Sequence, residues 1–228
     1  MSAVPDDPPS AVPAPGENPR HLLIFGIIAG VFIILALSTF LFPEPSATDP
    51  LSTYKNNVVA FSYGEAVILF LVVFATPFVA SLGSVLVSRG RGLVWAAMLL
   101  SVLGMLCLAL NEATLYGAFY AAANTPAPLP GIPAYEAALW LNLDTGVNLV
   151  GIVAWGFGLL LFGLAAWNSR ILPNWLALVG VIGGVAGFLV LVVSIVSFVV
   201  LPIAFGIWCF AAPLLIRRTA GGAKTAGP

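Results

Sequence analysis

Long runs of apolar residues, separated by short polar or proline-rich segments, make up most of the chain. A helix that crosses a bilayer needs about 20 apolar residues to span a hydrocarbon core about 30 Å thick. The uncharged run from Trp175 to Leu215 is too long for one crossing, so it predicts two helices joined by a turn near Ser194–Ser197. In all, the pattern predicts six transmembrane helices, at about residues 22–42, 66–88, 93–113, 147–167, 175–194 and 197–215.

These segments predict an all-α fold, a polytopic membrane helix bundle that occupies residues 21–218. Residues 1–20 are rich in proline and acidic residues, which predicts a disordered cytoplasmic tail. Residues 219–228 are small and glycine-rich, which predicts a second, flexible cytoplasmic tail. A signal peptide is the competing interpretation of helix 1, but its apolar run exceeds the usual h-region of roughly 7–15 residues. We therefore expect helix 1 to be retained.

The apolar pattern of helices 3 and 4 continues past the expected membrane boundary. If helix 3 extends to about residue 122 and helix 4 begins near residue 134, the pair stands clear of the outer membrane surface. Four prolines between residues 124 and 133 favour an extended tip. The hairpin is predicted either to dock a partner subunit or to lie among lipid headgroups.

Composition supports the membrane assignment and excludes several other classes. Of 228 residues, 61% are hydrophobic and 7% are charged, and the mean hydropathy is +1.08. A soluble domain averages roughly 45–50% apolar and roughly 25% charged residues. A cytosolic enzyme, a secreted disulfide scaffold and a disordered protein are therefore disfavoured. The 8 basic residues form no stripe that would bind phosphates, so no nucleic-acid partner is expected.

The positions of the cations predict the orientation. With six helices, seven of the eight basic residues fall on one side of the membrane, and Lys55 alone falls on the other. Cytoplasmic loops carry the excess of lysine and arginine, so both termini are predicted to be cytoplasmic. The seven are Arg20, Arg89, Arg91, Arg170, Arg217, Arg218 and Lys224.

Small residues recur at helical spacing, as expected where membrane helices pack closely. They form two G-x-x-x-G patterns, one in helix 1 and one in helix 5. The alternatives are a homodimer face and packing within the bundle, and we expect the second. The helix-packing residues are Gly26, Gly30, Gly180, Gly183, Gly184 and Gly187.

The chain lacks the residues that most catalytic and cofactor sites require. His21 is its single histidine and lies at the edge of helix 1, which excludes a bis-His haem, an H-E-x-x-H protease and a Ser-His triad within one chain. Cys107 and Cys209 lie inside predicted spans without a C-x-x-C spacing, so they predict neither a disulfide nor a metal site. No cofactor and no metal are expected.

One cluster of polar residues, at the outer ends of helices 3 and 4, remains as a candidate functional site. Glu112 lies about 30 Å along helix 3 from its inner edge, and Asn148 lies about 29 Å along helix 4. Asp144 lies one turn beyond Asn148 on the same face. Asn111 precedes Glu112, and Tyr116 follows it four residues later. Because the two helices are consecutive and antiparallel, these side chains are predicted to approach one another.

This cluster has three interpretations. Its oxygen atoms suit a cation or another polar ligand. A partly desolvated carboxyl group would instead suit acid or base catalysis on a lipid-like substrate. The third interpretation is that acids at an outer helix end are simply solvated or bonded to neighbours. Interfacial carboxylates cost little free energy compared with those at the bilayer midplane, which favours the third.

A short segment entering helix 5 resembles a group of bacterial six-helix membrane proteins of unknown function. The shared pattern is Leu-Pro-x-Trp-Leu followed by glycines, here Leu172, Pro173, Asn174, Trp175, Leu176, Gly180, Gly183 and Gly184. The resemblance implies the six-helix layout and a bacterial inner membrane, and it implies no established reaction.

Taken together, these observations predict a non-catalytic integral membrane protein. The leading hypothesis is an accessory or scaffolding subunit of a membrane complex, or a protein that binds a lipidic or small-molecule ligand. Its expected partners are the lipid bilayer and other membrane subunits or a second copy. The alternative is a small membrane enzyme or transporter that uses Glu112 and Asp144.

Overall fold

The computed structural model describes residues 19–39, 56–87, 90–124, 132–192 and 194–225. Within these ranges the chain forms six helices and short turns, and no strand. A 3-10 turn, Leu189–Leu191, continues the fifth helix. The helices are α1 (Pro19–Ser38), α2 (Val58–Leu86), α3 (Arg91–Asn124), α4 (Ile132–Ser169), α5 (Asn174–Phe188) and α6 (Ser194–Thr225).

Each of the six helices contains a stretch long and apolar enough to cross a membrane, which confirms the predicted number of spans. Their outward faces are apolar as well. On α3, for example, the side chains of Leu99, Leu103, Leu106 and Leu110 are all exposed. A helix that is hydrophobic on every side belongs in a membrane or in a large core. The helices therefore indicate a multi-pass membrane protein.

The six helices form a closed ring. Each helix packs against its neighbours in the sequence, and α6 returns to pack against α1. The end of the ring that holds the start of α1 and the end of α6 is called the proximal end, and the opposite end is called the distal end. The arginines with described side chains all lie toward the proximal end: Arg20, Arg91, Arg170, Arg217 and Arg218.

Helices α4 and α5 approach each other through glycine. A Cβ atom added to Gly156 would lie 2.8 Å from the Cα atom of Gly187. Farther along, a Cβ atom added to Gly163 would lie 2.8 Å from the carbonyl oxygen of Ala177. Gly180 lies against Gly163 and the indole of Trp208. Since lipid is as apolar as leucine, such close backbone packing is what holds membrane helices together.

The same kind of contact joins α3 to α4. A Cβ atom added to Gly158 would lie 2.6 Å from the backbone nitrogen of Ser101. One added to Gly104 would lie 2.6 Å from the carbonyl oxygen of Gly151 and 2.7 Å from the Cβ atom of Trp155. The backbone of α4 is thus held on two sides by glycine contacts.

The glycines of α1 close the ring. A Cβ atom added to Gly26 would lie 2.5 Å from the carbonyl oxygen of Cys209, and one added to Gly30 would lie 2.6 Å from the ring of Phe210. Both contacts are with α6 of the same chain. The G-x-x-x-G pattern of helix 1 therefore serves intramolecular packing in this structure.

The turn between α4 and α5 holds a residue in a left-handed conformation. Arg170 has φ 56°, a region that non-glycine residues seldom adopt. The hydroxyl group of Ser169 donates to the carbonyl oxygen of Ala166 at 3.1 Å and accepts from the backbone N–H of Ile171 at 3.3 Å. These bonds satisfy the end of α4, and Pro173 then precedes the start of α5.

Several helix boundaries differ from the sequence-based ones. Helix α2 begins at Val58, eight residues before the predicted Ala66, because Val59, Ala60 and Phe61 continue its apolar pattern. The turn between α5 and α6 lies at Val192, so α6 begins at Ser194 where the turn was predicted.

The outer hairpin and the two terminal segments can also be compared with the sequence-based predictions. Helix α3 runs to Asn124 and α4 begins at Ile132, so both extend well past the lengths needed for crossing. The tip between them lies outside the described residues. The predicted N-terminal tail also lies outside them, except for Pro19 and Arg20, which begin α1. Helix α6 continues to Thr225 instead of ending at Leu215, although Pro202 and Pro213 lie inside it.

Replacing Gly187 with alanine should destabilise the bundle. The new Cβ atom would lie 2.7 Å from the Cα atom of Gly156, so α4 and α5 would have to separate. Overpacking of this kind costs about 1–3 kcal/mol. We expect the thermal midpoint of the variant in detergent to fall clearly below that of the unaltered protein. The midpoint is measured by size-exclusion chromatography after heating to a series of temperatures.

The matched control is Gly146→Ala on α4, where nothing lies within 4 Å of an added Cβ atom. This change should be neutral or stabilising by up to about 1 kcal/mol, since alanine is the better helix former. Equal midpoints for the two variants would contradict the close packing of α4 on α5.

Candidate functional site

A cavity of about 120 Å³ lies inside the ring, toward the distal end. Every helix except α5 contributes to its wall. The lining is mostly aliphatic and includes a few polar side chains. Its residues are Ile33, Ala36, Leu37, Thr39, Ile68, Leu71, Leu108, Glu112, Asn148, Ile152, Trp155, Phe198, Leu201 and Pro202.

Three polar residues lie at the same depth on three different helices. Glu65 is 21 residues from the proximal end of α2 at Leu86, Glu112 is 21 residues from Arg91, and Asn148 is 21 residues from Ser169. At about 1.5 Å per residue, each lies about 32 Å from the proximal end. A hydrocarbon core is about 30 Å thick, so this depth corresponds to the distal boundary between hydrocarbon and headgroups.

Two residues of the cavity lining each carry a buried polar atom that has no hydrogen-bond partner among the described residues. The two atoms are the side-chain oxygen of Asn148 and the indole nitrogen of Trp155, whose side chain is only 4% exposed. A buried polar atom without a partner costs about 1–3 kcal/mol. Buried polar atoms of this kind are usually satisfied by an ordered water or another polar group.

Aromatic rings close the cavity on its proximal side. The indole of Trp155 packs edge-on against the ring of Phe205, with 5.1 Å between centroids and an angle of 74°. Phe205 in turn packs edge-on against Phe78 at 5.9 Å. These three residues from α4, α6 and α2 are buried, so the region beneath the cavity is solid core.

The distal mouth is bordered by the contact between α1 and α2. The hydroxyl groups of Ser38 and Tyr63 share a hydrogen bond at 3.3 Å. Thr39, which lines the cavity, lies beside Gly64. These contacts hold the end of α1 against the start of α2 at the level of the polar residues.

Glu65 and Glu112 interact electrostatically across the α2–α3 contact. Glu65 is half-buried and lies one helical turn from Ile68, a residue of the cavity wall. Two carboxylates near one another in a partly desolvated place repel, and a proton or a cation relieves that repulsion. The pair therefore favours a proton or a cation beside it.

The structure places some of the sequence-predicted site residues in this region. Glu112 and Asn148 line the cavity. Asn111 is 2% exposed, and its side-chain oxygen is buried without a partner among the described residues. Asp144 and Tyr116 lie in α4 and α3, but their side chains fall outside the described residues. The hypothesis of an enzyme or transporter that uses Glu112 with Asp144 stays a prediction.

Sequence reasoning missed Trp155, a residue of the cavity wall, and Glu65, which lies one helical turn from that wall. Glu65 was assigned to a loop because helix 2 was predicted to begin at Ala66, the next residue. The usable signal was the number of residues between Glu65 and the Arg89–Arg91 turn, which is close to the number between that turn and Glu112. Trp155 carries no signal of its own, since a tryptophan inside an apolar run is ordinary.

The arrangement combines hydrogen-bond acceptors with donors, which include the indole N–H of Trp155 and the amide N–H groups of Asn148. The carboxylate of Glu112 and the amide oxygen of Asn148 accept, and the indole of Trp155 donates. Among the described residues, no group of three or more histidine, cysteine or acidic side chains is arranged to hold a metal ion. The site is thus suited to hydrogen bonding with a small polar molecule.

A family model described as Domain of unknown function (DUF4386) matches residues 21–219, and the chain belongs to this family. The matched region begins at the start of α1 and ends within α6, so it contains the whole ring and the cavity. No curated protein and no solved structure matches the chain.

The unpartnered indole can be tested by comparing two tryptophans. The indole nitrogen of Trp208 donates to the carbonyl oxygen of Leu176 at 3.0 Å, whereas that of Trp155 has no partner among the described residues. Trp155→Phe should therefore be less destabilising than Trp208→Phe by about 1–3 kcal/mol, because only the second change removes a hydrogen bond.

The measurement is the thermal midpoint of both variants in the same detergent, without added ligand. The two substitutions remove similar ring volumes, so each serves as the control for the other. Equal losses of stability would show that the Trp155 indole is hydrogen-bonded within the protein.

Proposed function

We propose that this member of the family is a bacterial inner-membrane protein that binds a small polar or lipidic ligand in the distal cavity. The observation that carries the proposal is the cavity wall itself. Glu112, Asn148 and Trp155 line it together, and the last two each carry a buried polar atom without a partner among the described residues. A ligand that hydrogen-bonds to these atoms recovers the free energy lost by burying them.

The cavity lining has the mixture of apolar and polar side chains that is typical of ligand-binding sites. Ligand sites are usually apolar clefts with a few well-placed polar groups. Here aliphatic side chains such as Ile33, Leu71 and Ile152 surround the three polar ones. At about 120 Å³ the cavity holds about four waters at their liquid volume of about 30 Å³ each, so the bound portion of the ligand is small.

A scaffolding role has less support than ligand binding. The glycine faces that would serve a homodimer contact other helices of the same chain, as Gly30 does with Phe210 and Gly184 with Leu160. Partner subunits remain a prediction from the sequence. No contact in the described residues favours them.

Filling the cavity tests the proposal. Ala36 lines it, so Ala36→Leu adds three carbon atoms into the space. We expect this variant to keep or raise its thermal midpoint, because filling a cavity restores packing. It should also lose whatever molecule the protein retains when extracted from its own membrane and analysed by native mass spectrometry.

The matched control is Ala80→Leu, an exposed position on α2 that should retain the molecule. A wild-type protein that carries no bound molecule, or an Ala36→Leu variant that retains it fully, would contradict the proposal.

We also propose that both termini are cytoplasmic. The proximal end holds the described arginines together with the start of α1 and the end of α6, and cytoplasmic segments carry the excess of such residues. Green fluorescent protein fused after Pro228 should fluoresce, and alkaline phosphatase fused there should be inactive. Phosphatase fused after Lys55, between α1 and α2 in the sequence, should be active. The reverse pattern would overturn the orientation.

A further inference from the structure

We propose that an anionic phospholipid binds at the proximal end of the contact between α1 and α6. Arg20, Arg217 and Arg218 receive its phosphate group, and the apolar outer faces of the two helices receive its acyl chains. This place lies at the opposite end of the ring from the distal cavity, so the proposal does not depend on the proposed function.

The packing of α1 on α6 brings the three arginines to one level. A Cβ atom added to Gly26 would lie 2.8 Å from the side chain of Pro213, so these two residues lie side by side on antiparallel helices. Toward the proximal end, Arg20 is six residues from Gly26, and Arg217 and Arg218 are four and five residues from Pro213. At about 1.5 Å per residue, all three lie about 6–9 Å beyond that contact.

Arg217 lies on the face of α6 that packs against α1. It follows Phe210 by seven residues and Pro213 by four, and residues at these spacings share one side of a helix. Phe210 and Pro213 are the residues of α6 that contact the glycines of α1. The side chains of Arg217 and Arg218 are nonetheless exposed, as is that of Arg20, so their guanidinium groups are open to a ligand.

No acid with a described side chain lies near these three positive charges. The acids whose side chains the structure describes are Glu65 and Glu112, and both lie toward the distal end. Like charges held at one level repel each other, and an anion placed among them relieves that repulsion. The anion that a bilayer supplies at its surface is a phosphodiester, to which a guanidinium donates two parallel hydrogen bonds.

Exposed apolar side chains lead from the arginines into the membrane. On α1, Ile24 and Ile27 lie four and seven residues from Arg20, on the same side of the helix. On α6, Leu214 and Ile207 lie four and eleven residues before the second arginine of the pair, again on one side. Charge at the membrane surface with apolar contact below it is the order of groups in a phospholipid. A soluble phosphate would use the arginines alone.

The bound lipid links two helices that no segment of chain joins directly. Helices α1 and α6 are the first and the last, so packing alone closes the ring between them, whereas the other neighbouring helices follow one another in the chain. A headgroup held by arginines of both helices adds a noncovalent link at this contact. Binding of the lipid therefore stabilises the ring.

The experiment uses the full-length protein in detergent, with phosphatidylglycerol and phosphatidylcholine of identical acyl chains added in equal amounts. Native mass spectrometry counts the lipids that stay bound. We expect phosphatidylglycerol to be retained at least about 10-fold more strongly, because attraction by several arginines is multiplied. It should also raise the thermal midpoint more than phosphatidylcholine does. Equal retention of the two lipids would overturn the proposal.

Three charge variants locate the site. Arg20→Gln and Arg217→Gln should each lower the retention of phosphatidylglycerol about 5-fold. Both should keep the wild-type midpoint in the absence of lipid, because both side chains are exposed. The matched control is Arg91→Gln, which removes an exposed proximal cation at the start of α3, a helix separated from α1 by α2. The control should leave retention unchanged. Equal losses in all three variants would show a general attraction to the proximal end and would overturn the site.

Two further measurements complete the test. Inorganic phosphate in large excess should leave phosphatidylglycerol bound, because the acyl chains contribute to binding. Displacement of the lipid by phosphate would show an anion site rather than a lipid site, and the proposal would be wrong. Ala36→Leu, which fills the distal cavity, should not change the retention of phosphatidylglycerol, so failure of the proposed function and failure of this proposal give different results.

Discussion

Close contact between helix backbones, made where glycine removes a side chain, is the constraint on which the rest of the structure depends. Lipid offers no hydrophobic force that drives helices together, so the ring must be held by packing at short range. Gly104 shows how this reaches the site. Its missing side chain lets the backbone of Trp155 approach α3, which sets the indole against Phe205 and so closes the cavity on its proximal side. The same few residues thus pack the helices together and form part of the cavity wall.

The polar residues follow from the same arrangement. Charged and amide groups cost least at the edge of the hydrocarbon, and that is where Glu65, Glu112 and Asn148 lie. Because the helices are antiparallel and begin from tight proximal turns, equal numbers of residues bring these side chains to one level. The ring then encloses a space that Glu112 and Asn148 line and that none of the helices could enclose alone.

The sequence predicted the architecture well because each span carries its own signal in its apolar length. Glu112 and Asn148 were identified from sequence by counting residues from the helix ends. Glu65 was missed because apolarity marks the start of a helix poorly near the boundary, where Val58 and Val59 follow two asparagines. The role of Trp155 depends on contacts with α3 and α6, and no local pattern in the sequence encodes contacts with distant residues.

The short length of helix α5 affects the lipid around the protein. With 15 α-helical residues and a 3-10 turn of 3, it is about 28 Å long, whereas α2 has 29 residues. A span shorter than the surrounding hydrocarbon is accommodated by thinning the bilayer beside it. One side of the ring therefore imposes a hydrophobic mismatch that the opposite side lacks. The protein would sit in an asymmetric annulus of lipid, thinnest along α5.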